Sequence, residues 1–309
     1  MHLTRRPALL LLAALVCASQ PSRAQTLPFT LKQVAPKVYA VIDNANGDSG
    51  ANAGVVIGEE AVAIIDSLYR PKATQALLAE VRRLTPLPIR YLVNTHYHID
   101  HVAGNAVFAQ AGAVIVGHKN VARWINTENL KFFGATPTAE VQAQVAALTP
   151  PQIGFDSEMR LNLGQRTLLI KALPGHTGGD VVVSVQDAGV VFAGDLFWRR
   201  AIPNLIDANT ADWLRTLDTL RQGATVFVPG HGDVGSAGDV QDFQRYLADV
   251  QAAVRQQLDA GKDGEALQAA ALAQLTPSYG GWAYFKSLGP RNVRDMQAEL
   301  TGNKRRPAP

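Results

Sequence analysis

Short hydrophobic runs alternate with amphipathic segments along the chain, and turn-forming residues separate them. In the first half, apolar and β-branched runs predict strands at residues 38–43, 54–57, 61–66, 89–93 and 114–116. Apolar positions at helical spacing predict helices at 71–84, where Pro71 suits the first turn, and at about 104–111. An alternation of strands and helices is typical of a layered α/β fold.

The second half repeats this rhythm, and a helical region follows it. Strand pairs are predicted at 160–163 with 167–172 and at 181–185 with 190–193, followed by a helix at 210–220 and a strand at 226–228. The polar segment 126–157 between the halves contains one predicted helix, near 139–148, and a connection of this length is typical of a functional lid or a disordered segment. Residues from 237 on are mostly helical, with breaks at 261–264 and 277–281, and residues 302–309 are expected to form a solvated basic tail.

Residues 1–24 have the features of an export signal. Arg5 and Arg6 precede an apolar run over 7–18 that is too short to span a bilayer comfortably. Residues 22–24 offer a cleavage site, and cleavage after Ala18 is the alternative. A retained N-terminal anchor is the competing interpretation. We expect a periplasmic or secreted protein that has no membrane association once the signal is removed.

The charge of the chain depends on this same segment. A formal charge of +3 over 309 residues would favour an acidic partner such as a nucleic acid, but residues 1–24 hold three arginines and no acidic residue. Their removal leaves 26 basic and 26 acidic residues. The single cysteine, Cys17, lies there too, so a disulfide framework and a cysteine-rich metal site are excluded. We expect a small-molecule substrate and no nucleic-acid partner.

Four potential metal ligands follow the predicted strand at 89–93. They fall within six residues, and they are His96, His98, Asp100 and His101. The spacing of His96 and His98 puts both imidazoles on one side of an extended segment, and a turn after them would aim Asp100 and His101 at a second cation. Imidazole and carboxylate suit Zn²⁺, while iron and manganese accept the same ligand types. A histidine-rich surface loop is the alternative.

Three further candidate ligands, His176, Asp195 and His231, lie in glycine-containing turns after predicted strands. Each alone is consistent with a structural or exposed residue. Because sites in α/β folds collect at the carboxyl ends of strands, we expect these side chains to join the first cluster. Five of the seven histidines of the chain lie in these motifs, which favours a shared metal site.

Taken in order, these motifs resemble the metallo-β-lactamase superfamily over about residues 36–235. They are His-x-His-x-Asp-His at 96–101, Gly-His-Thr at 175–177, Gly-Asp at 194–195 and Gly-His-Gly at 230–232. The resemblance implies a four-layer αβ/βα sandwich with two zinc ions per chain. It implies one zinc on His96, His98 and His176, a second on Asp100, His101 and His231, and Asp195 bridging both. Asp66 resembles the family's acidic residue behind the ligands.

The resemblance also implies the domain organisation and the activity. We expect a signal at 1–24, a catalytic domain at 25–248, and a C-terminal helical extension with the basic tail at 249–309. The implied activity is a hydrolase in which a metal-bridging hydroxide attacks a small ester, thioester, lactone or amide, with Asp100 as the catalytic residue that orients the nucleophile or relays its proton.

Two other activities remain as alternatives. An aspartate at 195 resembles the glyoxalase II, lactonase and phosphodiesterase branches, whereas zinc β-lactamases carry cysteine or serine at that position. A β-lactamase is therefore one alternative, and an iron-dependent oxidoreductase similar to persulfide dioxygenases is the other.

Residues near the mouth of the site are harder to interpret. Arg199 and Arg200 follow Asp195 closely, and they would either clamp an anionic substrate or form a solvated turn. Aromatic residues in two later segments would either line an apolar pocket or pack in the core. These are Trp124, Phe132, Phe133, Tyr279, Trp282, Tyr284 and Phe285.

Overall fold

The computed structural model describes residues 26–44 and 46–308, so the predicted export signal lies outside the described residues. The strands are β1 (Phe29–Ala35), β2 (Val38–Asp43), β3 (Ala53–Ile57), β4 (Val62–Ile65), β5 (Ile89–Asn94), β6 (Val114–His118), β7 (Ile153–Phe155), β8 (Glu158–Asn162), β9 (Thr167–Ala172), β10 (Val181–Val185), β11 (Val190–Trp198) and β12 (Val226–His231). The α-helices are α1 (Pro71–Leu84), α2 (Ile99–Val102), α3 (Asn105–Gln110), α4 (Lys119–Trp124), α5 (Ala139–Ala146), α6 (Thr210–Leu220), α7 (Ala237–Asp259), α8 (Gly264–Tyr279) and α9 (Phe285–Leu300), and Glu128–Phe133 forms a short 3₁₀ helix.

The strands form two mixed sheets. Strands β1 to β7 follow chain order in the first sheet, antiparallel up to β4 and parallel from β4 to β7. The second sheet has the order β12-β11-β10-β9-β8, in which only the β11–β12 pair is parallel among the described strands. The parallel pairs bring the carboxyl ends of β5, β11 and β12 to the region where the candidate ligands lie.

The two sheets pack face to face because side chains alternate along each strand. Val181 and Val183 of β10 face the first sheet, where they join a buried cluster with Val56 and Val93. Phe192 of β11 lies over Gly54, so close that a Cβ atom at Gly54 would meet the ring at 2.3 Å. The small residue in β3 therefore makes room for the large one opposite.

Helices cover the outer face of each sheet. Leu77 of α1 packs on Leu92 in one buried cluster, and Trp213 of α6 packs with Val191 in another. The outer cluster on the second sheet also takes in α7, α8 and α9. These layers confirm the αβ/βα sandwich with a C-terminal helical region. Helix α7 runs continuously through residues 248 and 249, where we placed a domain boundary, and that division stays a prediction. Among the described residues, no helix is both long and apolar enough to cross a membrane.

Most predicted elements lie at the expected residues, and α1, β9, β10 and α6 match their predicted limits. Strand β11 differs, because it continues past Gly194 to Trp198. Gly194 adopts a positive φ of 50°, which lets the strand bulge there and continue, whereas the sequence indicated a turn. Strands β1 and β7 were not predicted.

The predicted tail is exposed at most of its described residues, and some of its residues also contact the body of the protein. Lys304 donates to Glu299 at 2.9 Å, and their side chains are only 5% and 10% exposed. Arg306 donates to the carbonyl of Ala208 at 3.0 Å, and the indole N–H of Trp124 donates to the carbonyl of Ala308 at 2.9 Å. The partly buried carboxylate of Glu299 thus pairs with Lys304 and, at 3.3 Å, with Arg306.

Candidate metal centre

The seven predicted ligands come together from five places in the chain. His96 and His98 follow β5 in an extended segment, and Asp100 and His101 lie in the short helix α2. The other three lie on the second sheet or beside it. His176 is in the loop between β9 and β10, Asp195 is in β11, and His231 ends β12. All but Asp100 are buried.

The first group consists of three imidazoles around one oxygen of Asp195. Oδ2 of Asp195 lies 3.2 Å from Nε2 of His176 and 3.6 Å from Nε2 of His96. Nδ1 of His98 lies 3.0 Å from Nε2 of His176. The donor atoms of this group lie within 4.8 Å of one another, as they would around a single cation.

The second group consists of Asp100, His101 and His231, and it faces the other oxygen of Asp195. Oδ2 of Asp100 lies 3.2 Å from Nε2 of His231 and 3.7 Å from Nε2 of His101. Oδ1 of Asp195 lies 3.1 Å from Nε2 of His101 and 3.5 Å from Nε2 of His231. Asp195 therefore contacts both groups, one oxygen to each, and its role as a metal bridge stays a prediction.

Asp66 and Thr95 orient two of the imidazoles from behind. Oδ2 of Asp66 lies 2.8 Å from Nδ1 of His101 and also accepts from the Thr95 hydroxyl at 2.7 Å. The same hydroxyl lies 3.1 Å from Nδ1 of His96. If both imidazoles carry their proton on Nδ1, both leave a lone pair on Nε2, the form that a metal requires. Asp66, which follows β4 with a positive φ of 57°, thus has the position that we predicted for it.

Asp207 plays the same part for His98, and the sequence analysis missed it. Its Oδ2 lies 3.1 Å from Nε2 of His98, so the other ring nitrogen, Nδ1, is the one that belongs to the first group, 3.0 Å from Nε2 of His176. The same carboxylate accepts a very short hydrogen bond from the Tyr97 hydroxyl and one of 2.7 Å from Lys131. Asp207 lies in an irregular loop without a motif, so no local signal marks it in the sequence.

The free donor atoms fit a metal. Nε2 of His96, His101 and His231 and Oδ1 of Asp195 are buried, and none has a hydrogen-bond partner among the described residues. A buried polar atom without a partner costs about 1–3 kcal/mol, so native sites rarely leave several of them together. A divalent cation in each group would satisfy them.

Charge in the cluster supports the same interpretation. Burial lowers the pKa of His96 well below its usual value, which favours the neutral imidazole that binds metals. Burial also opposes a charge on His101, yet the carboxylates of Asp195, Asp100 and Asp66 raise its pKa well above the usual value. These three carboxylates therefore draw positive charge to the centre, and a divalent cation would supply it.

The glycine before His231 makes room for the central carboxylate. A Cβ atom at Gly230 would lie 1.9 Å from Oδ1 of Asp195 and 2.9 Å from the carbonyl carbon of Gly194. Both distances are shorter than any normal contact. The Gly-His motif at 230–231 is therefore required by the packing of Asp195 against β12.

Residues 46–231 match the family model described as the metallo-beta-lactamase superfamily. The chain belongs to this superfamily. The match contains all seven of the clustered residues and ends at His231. The chain is thus a member of a metallo-hydrolase superfamily.

Curated proteins from several bacteria are similar to this chain. An uncharacterized protein of Mycobacterium tuberculosis is 30% identical over 205 residues, which are 62% of this chain and 88% of the relative. The probable metallo-hydrolase YqgX of Bacillus subtilis is 27% identical over 208 residues, 65% of this chain and 94% of the relative. The hydroxyacylglutathione hydrolase of Brucella anthropi is 28% identical over 183 residues, 58% of this chain and 61% of the relative.

Solved structures of the superfamily share the fold. The mono-zinc form of the metallo-beta-lactamase FIM-1 from Pseudomonas aeruginosa aligns with a TM-score of 0.57 and 23% identity. The alignment covers 72% of this chain and 96% of that enzyme. This likeness concerns the architecture.

A cavity of about 300 Å³ opens beside the two groups of candidate ligands. The superfamily match ends before two of its walls, because Tyr284 and Leu288 belong to the C-terminal helical region. Of the other aromatic candidates, Phe132 lines this cavity, while Trp124 packs against Tyr97 at 5.5 Å between ring centroids.

The two arginines after Asp195 do not line this cavity. Arg199 donates to Asp239 at 2.9 Å, near the start of α7, and borders a neighbouring cavity instead. Arg200 is exposed and has a positive φ of 49°. Among the described residues, the anion clamp that we considered is therefore not formed at the apolar cavity.

Proposed function

We propose that this chain is an exported dinuclear zinc hydrolase that acts on a small ester, thioester, lactone or amide. The observation that carries the proposal is the position of Asp195, whose two oxygens face two separate groups of imidazoles. Each group offers nitrogen and carboxylate donors, the set that Zn²⁺ prefers.

Two zinc ions, when bound, lower the pKa of water to near neutrality and polarise a carbonyl oxygen. The residues of the chain hold the ligand side chains in place. Asp66, Thr95 and Asp207 fix the ring orientations of three histidines, so the donor atoms need no reorganisation during turnover.

Asp100 is the residue best placed to handle the proton of the attacking water. Its side chain is 30% exposed, more than that of any other member of the cluster, and it lines the cavity. One of its oxygens lies 3.2 Å from Nε2 of His231, which leaves the other available to the substrate side. In our proposal, this carboxylate orients the water and accepts its proton, the task of a general base.

Two further features support parts of the proposal. The relative named hydroxyacylglutathione hydrolase supports an acyl compound as substrate. The basic and apolar segment at residues 1–24 supports export, and fractionation of cells that express the full-length chain tests that part.

The experiment combines metal analysis with a panel of lactones, thioesters, phosphodiesters and β-lactams, assayed on zinc-loaded protein with and without EDTA. We expect two zinc ions per chain and hydrolysis of an acyl substrate that EDTA abolishes. His96→Ala should lose both metal and activity. His118→Asn is the matched control, because His118 caps α4 through Nδ1 outside the cluster and asparagine keeps a capping acceptor.

Each contrary result has a defined meaning. A single iron with no hydrolysis would favour the persulfide dioxygenase alternative, and preferential turnover of β-lactams would favour the lactamase. Activity that survives both EDTA and His96→Ala would overturn the metal mechanism.

A further inference from the structure

The walls of the 300 Å³ cavity are mainly apolar. Its apolar lining consists of Ile99, Phe132, Trp198, Tyr284 and Leu288. Its polar lining consists of members of the metal cluster together with Asn204 and Gly50. The cluster thus forms one end of a small hydrophobic chamber.

The apolar walls of the chamber come from four separate parts of the chain, the first of which is Ile99 at the start of α2. Phe132 comes from the 3₁₀ helix between the two halves and stands edge-on to His98, with 4.9 Å between ring centroids. Trp198 ends β11 and stacks on His231 at 3.9 Å. Tyr284 and Leu288 lie one turn apart at the start of α9.

Tyr284 is held in an unfavourable backbone conformation at the mouth of this chamber. Its φ of 64° and ψ of 1° lie in the left-handed region, which costs a non-glycine residue about 1–3 kcal/mol. Its carbonyl accepts from the N–H of Leu288 at 2.8 Å, and the preceding residue, Ala283, donates to the carbonyl of Arg200 at 3.0 Å. These bonds keep the ring 6.1 Å from Trp198 and 6.3 Å from His231, although the side chain is 46% exposed.

The walls of the chamber offer no basic side chain to an anionic group. Among the described residues that line it, none is lysine or arginine. The basic residues around the chamber are held in ion pairs. Lys131, whose Nζ lies 6.0 Å from the ring centroid of Phe132, pairs with Asp207 at 2.7 Å. Lys32 pairs with Asp233 at 2.5 Å and Arg199 with Asp239 at 2.9 Å, beside an adjoining cavity of about 440 Å³ that shares His231 and Tyr284 with the chamber.

From these observations we infer that the substrate carries an uncharged, apolar acyl group of a few carbons, bound in this chamber, and that Tyr284 is a residue that determines this specificity. The inference rests on the proposed function in one respect, namely that the bond hydrolysed is an acyl bond. Asp100, Asp195 and His231 line the chamber, so a scissile carbonyl placed at these residues directs its acyl chain into the chamber. Each buried methylene should then strengthen binding about fourfold.

A binding experiment on the zinc-loaded protein tests the inference without relying on turnover. The probes are acetohydroxamate, hexanohydroxamate and the monohydroxamate of adipic acid, which has the length of hexanohydroxamate but ends in a carboxylate. Hexanohydroxamate has four more methylenes than acetohydroxamate, so calorimetry should show it binding about 16-fold more tightly if two of them are buried and about 250-fold more tightly if all four are. The adipic compound should bind at least about tenfold more weakly than hexanohydroxamate, because its carboxylate would be desolvated beside apolar walls.

Variants of Tyr284 test the assignment of this residue. Tyr284→Asn removes the ring but suits the left-handed backbone, and it should lower the ratio of hexanohydroxamate to acetohydroxamate affinity at least about threefold. Tyr284→Phe keeps the ring and should retain the ratio. The matched control is Ile153→Asn, since Ile153 is an exposed apolar side chain on β7 outside the chamber lining, and it should also retain the ratio.

A parallel assay with the 4-nitrophenyl esters of acetic, hexanoic and adipic acid separates the two proposals. Tighter binding of hexanohydroxamate than of acetohydroxamate, without hydrolysis of any ester, would overturn the proposed activity but support the inference that the chamber binds an apolar acyl group. Equal affinity for the short and long hydroxamates, or equal affinity for the hexanoyl and adipic compounds, would overturn the chamber inference even if the esters are hydrolysed. An unchanged ratio in Tyr284→Asn would overturn the role of Tyr284.

Discussion

Oδ2 of Asp207 lies 3.1 Å from Nε2 of His98, although 109 positions separate the two residues in the sequence. The opposite carboxylate oxygen accepts from Lys131 at 2.7 Å, on the 3₁₀ helix that also carries Phe132. One buried carboxylate thus connects a candidate metal ligand to the segment that forms a wall of the apolar chamber. The orientation of His98 therefore depends on residues far outside its own motif.

Replacing Asp207 with asparagine should weaken metal binding at the first group. The amide keeps the volume but loses the charge, and loss of such a partner behind a histidine ligand typically lowers metal affinity about 10–100-fold. Competition with a chromophoric chelator measures this affinity. Asp218→Asn is the matched control, because Asp218 is exposed on α6, and it should retain the wild-type affinity. Equal zinc affinities in the two variants would contradict the role of Asp207.

Replacing Gly230 with alanine should disturb both metal sites together. The new Cβ would overlap Oδ1 of Asp195, so this carboxylate must move away from the position between the two groups. We expect fewer than two zinc ions per chain by elemental analysis, with little change in secondary structure by circular dichroism. Gly281→Ala is the control, because a Cβ there meets no atom within 4 Å. Two zinc ions per chain in Gly230→Ala would contradict this expectation, because they would show that the site accommodates the added Cβ atom.

The positions of the candidate ligands were predictable because metal binding limits the usable residue types, and because strand ends bring such residues together. His96 lies in a dense local motif, whereas His176 and His231 became candidates only when their motifs were considered together. Asp207 was not predictable, since its function depends on a contact made only in three dimensions. Gly230 is an intermediate case. The sequence shows the Gly-His motif, but only the structure shows that a glycine is needed there to leave space for Asp195.

The fold was also predictable where local sequence patterns determine it, and the prediction failed where tertiary contacts do. Helix α1 has an uninterrupted apolar face, and its limits follow from the periodicity. In β11, the sequence Gly194-Asp195 indicated a turn, while tertiary pairing with β12 continues the strand. Tyr284 lies just beyond a predicted helix break, and the backbone hydrogen bonds of the preceding residue, Ala283, with Arg200 and Ile202 place it at the site.

Replacing Asp100 with asparagine should lower turnover about 10²–10⁴-fold, the usual contribution of a general base. The amide keeps the shape of the side chain but accepts no proton near neutral pH. The rate should be measured on zinc-loaded protein with the bound metal quantified in the same sample, since Asp100 is also a predicted ligand. Asp242→Asn, on the exposed face of α7, is the control. Wild-type turnover at full zinc loading would contradict the assignment.

Asp180 provides a pH-dependent test of the loop that carries His176. It is buried and accepts hydrogen bonds from the backbone N–H of Thr177 at 2.7 Å and from the hydroxyl of the same residue at 2.5 Å. Burial raises the pKa of Asp180 from 3.8 to about 7, against the lowering effect of His176 and Thr177. Between these two values the folded protein binds more protons than the unfolded chain.

The free energy of unfolding should therefore fall as the pH rises from about 4 to about 7, by up to about 1.4 kcal/mol per pH unit from this residue alone. Asp180→Asn cannot ionise, so its stability relative to the wild type should increase across this window and become constant above it. Urea denaturation of metal-free wild-type and variant protein over this pH range measures the difference. The metal-free state matters because a cation on His176 would itself favour the ionised carboxylate. A stability difference that is independent of pH would show that Asp180 is ionised throughout.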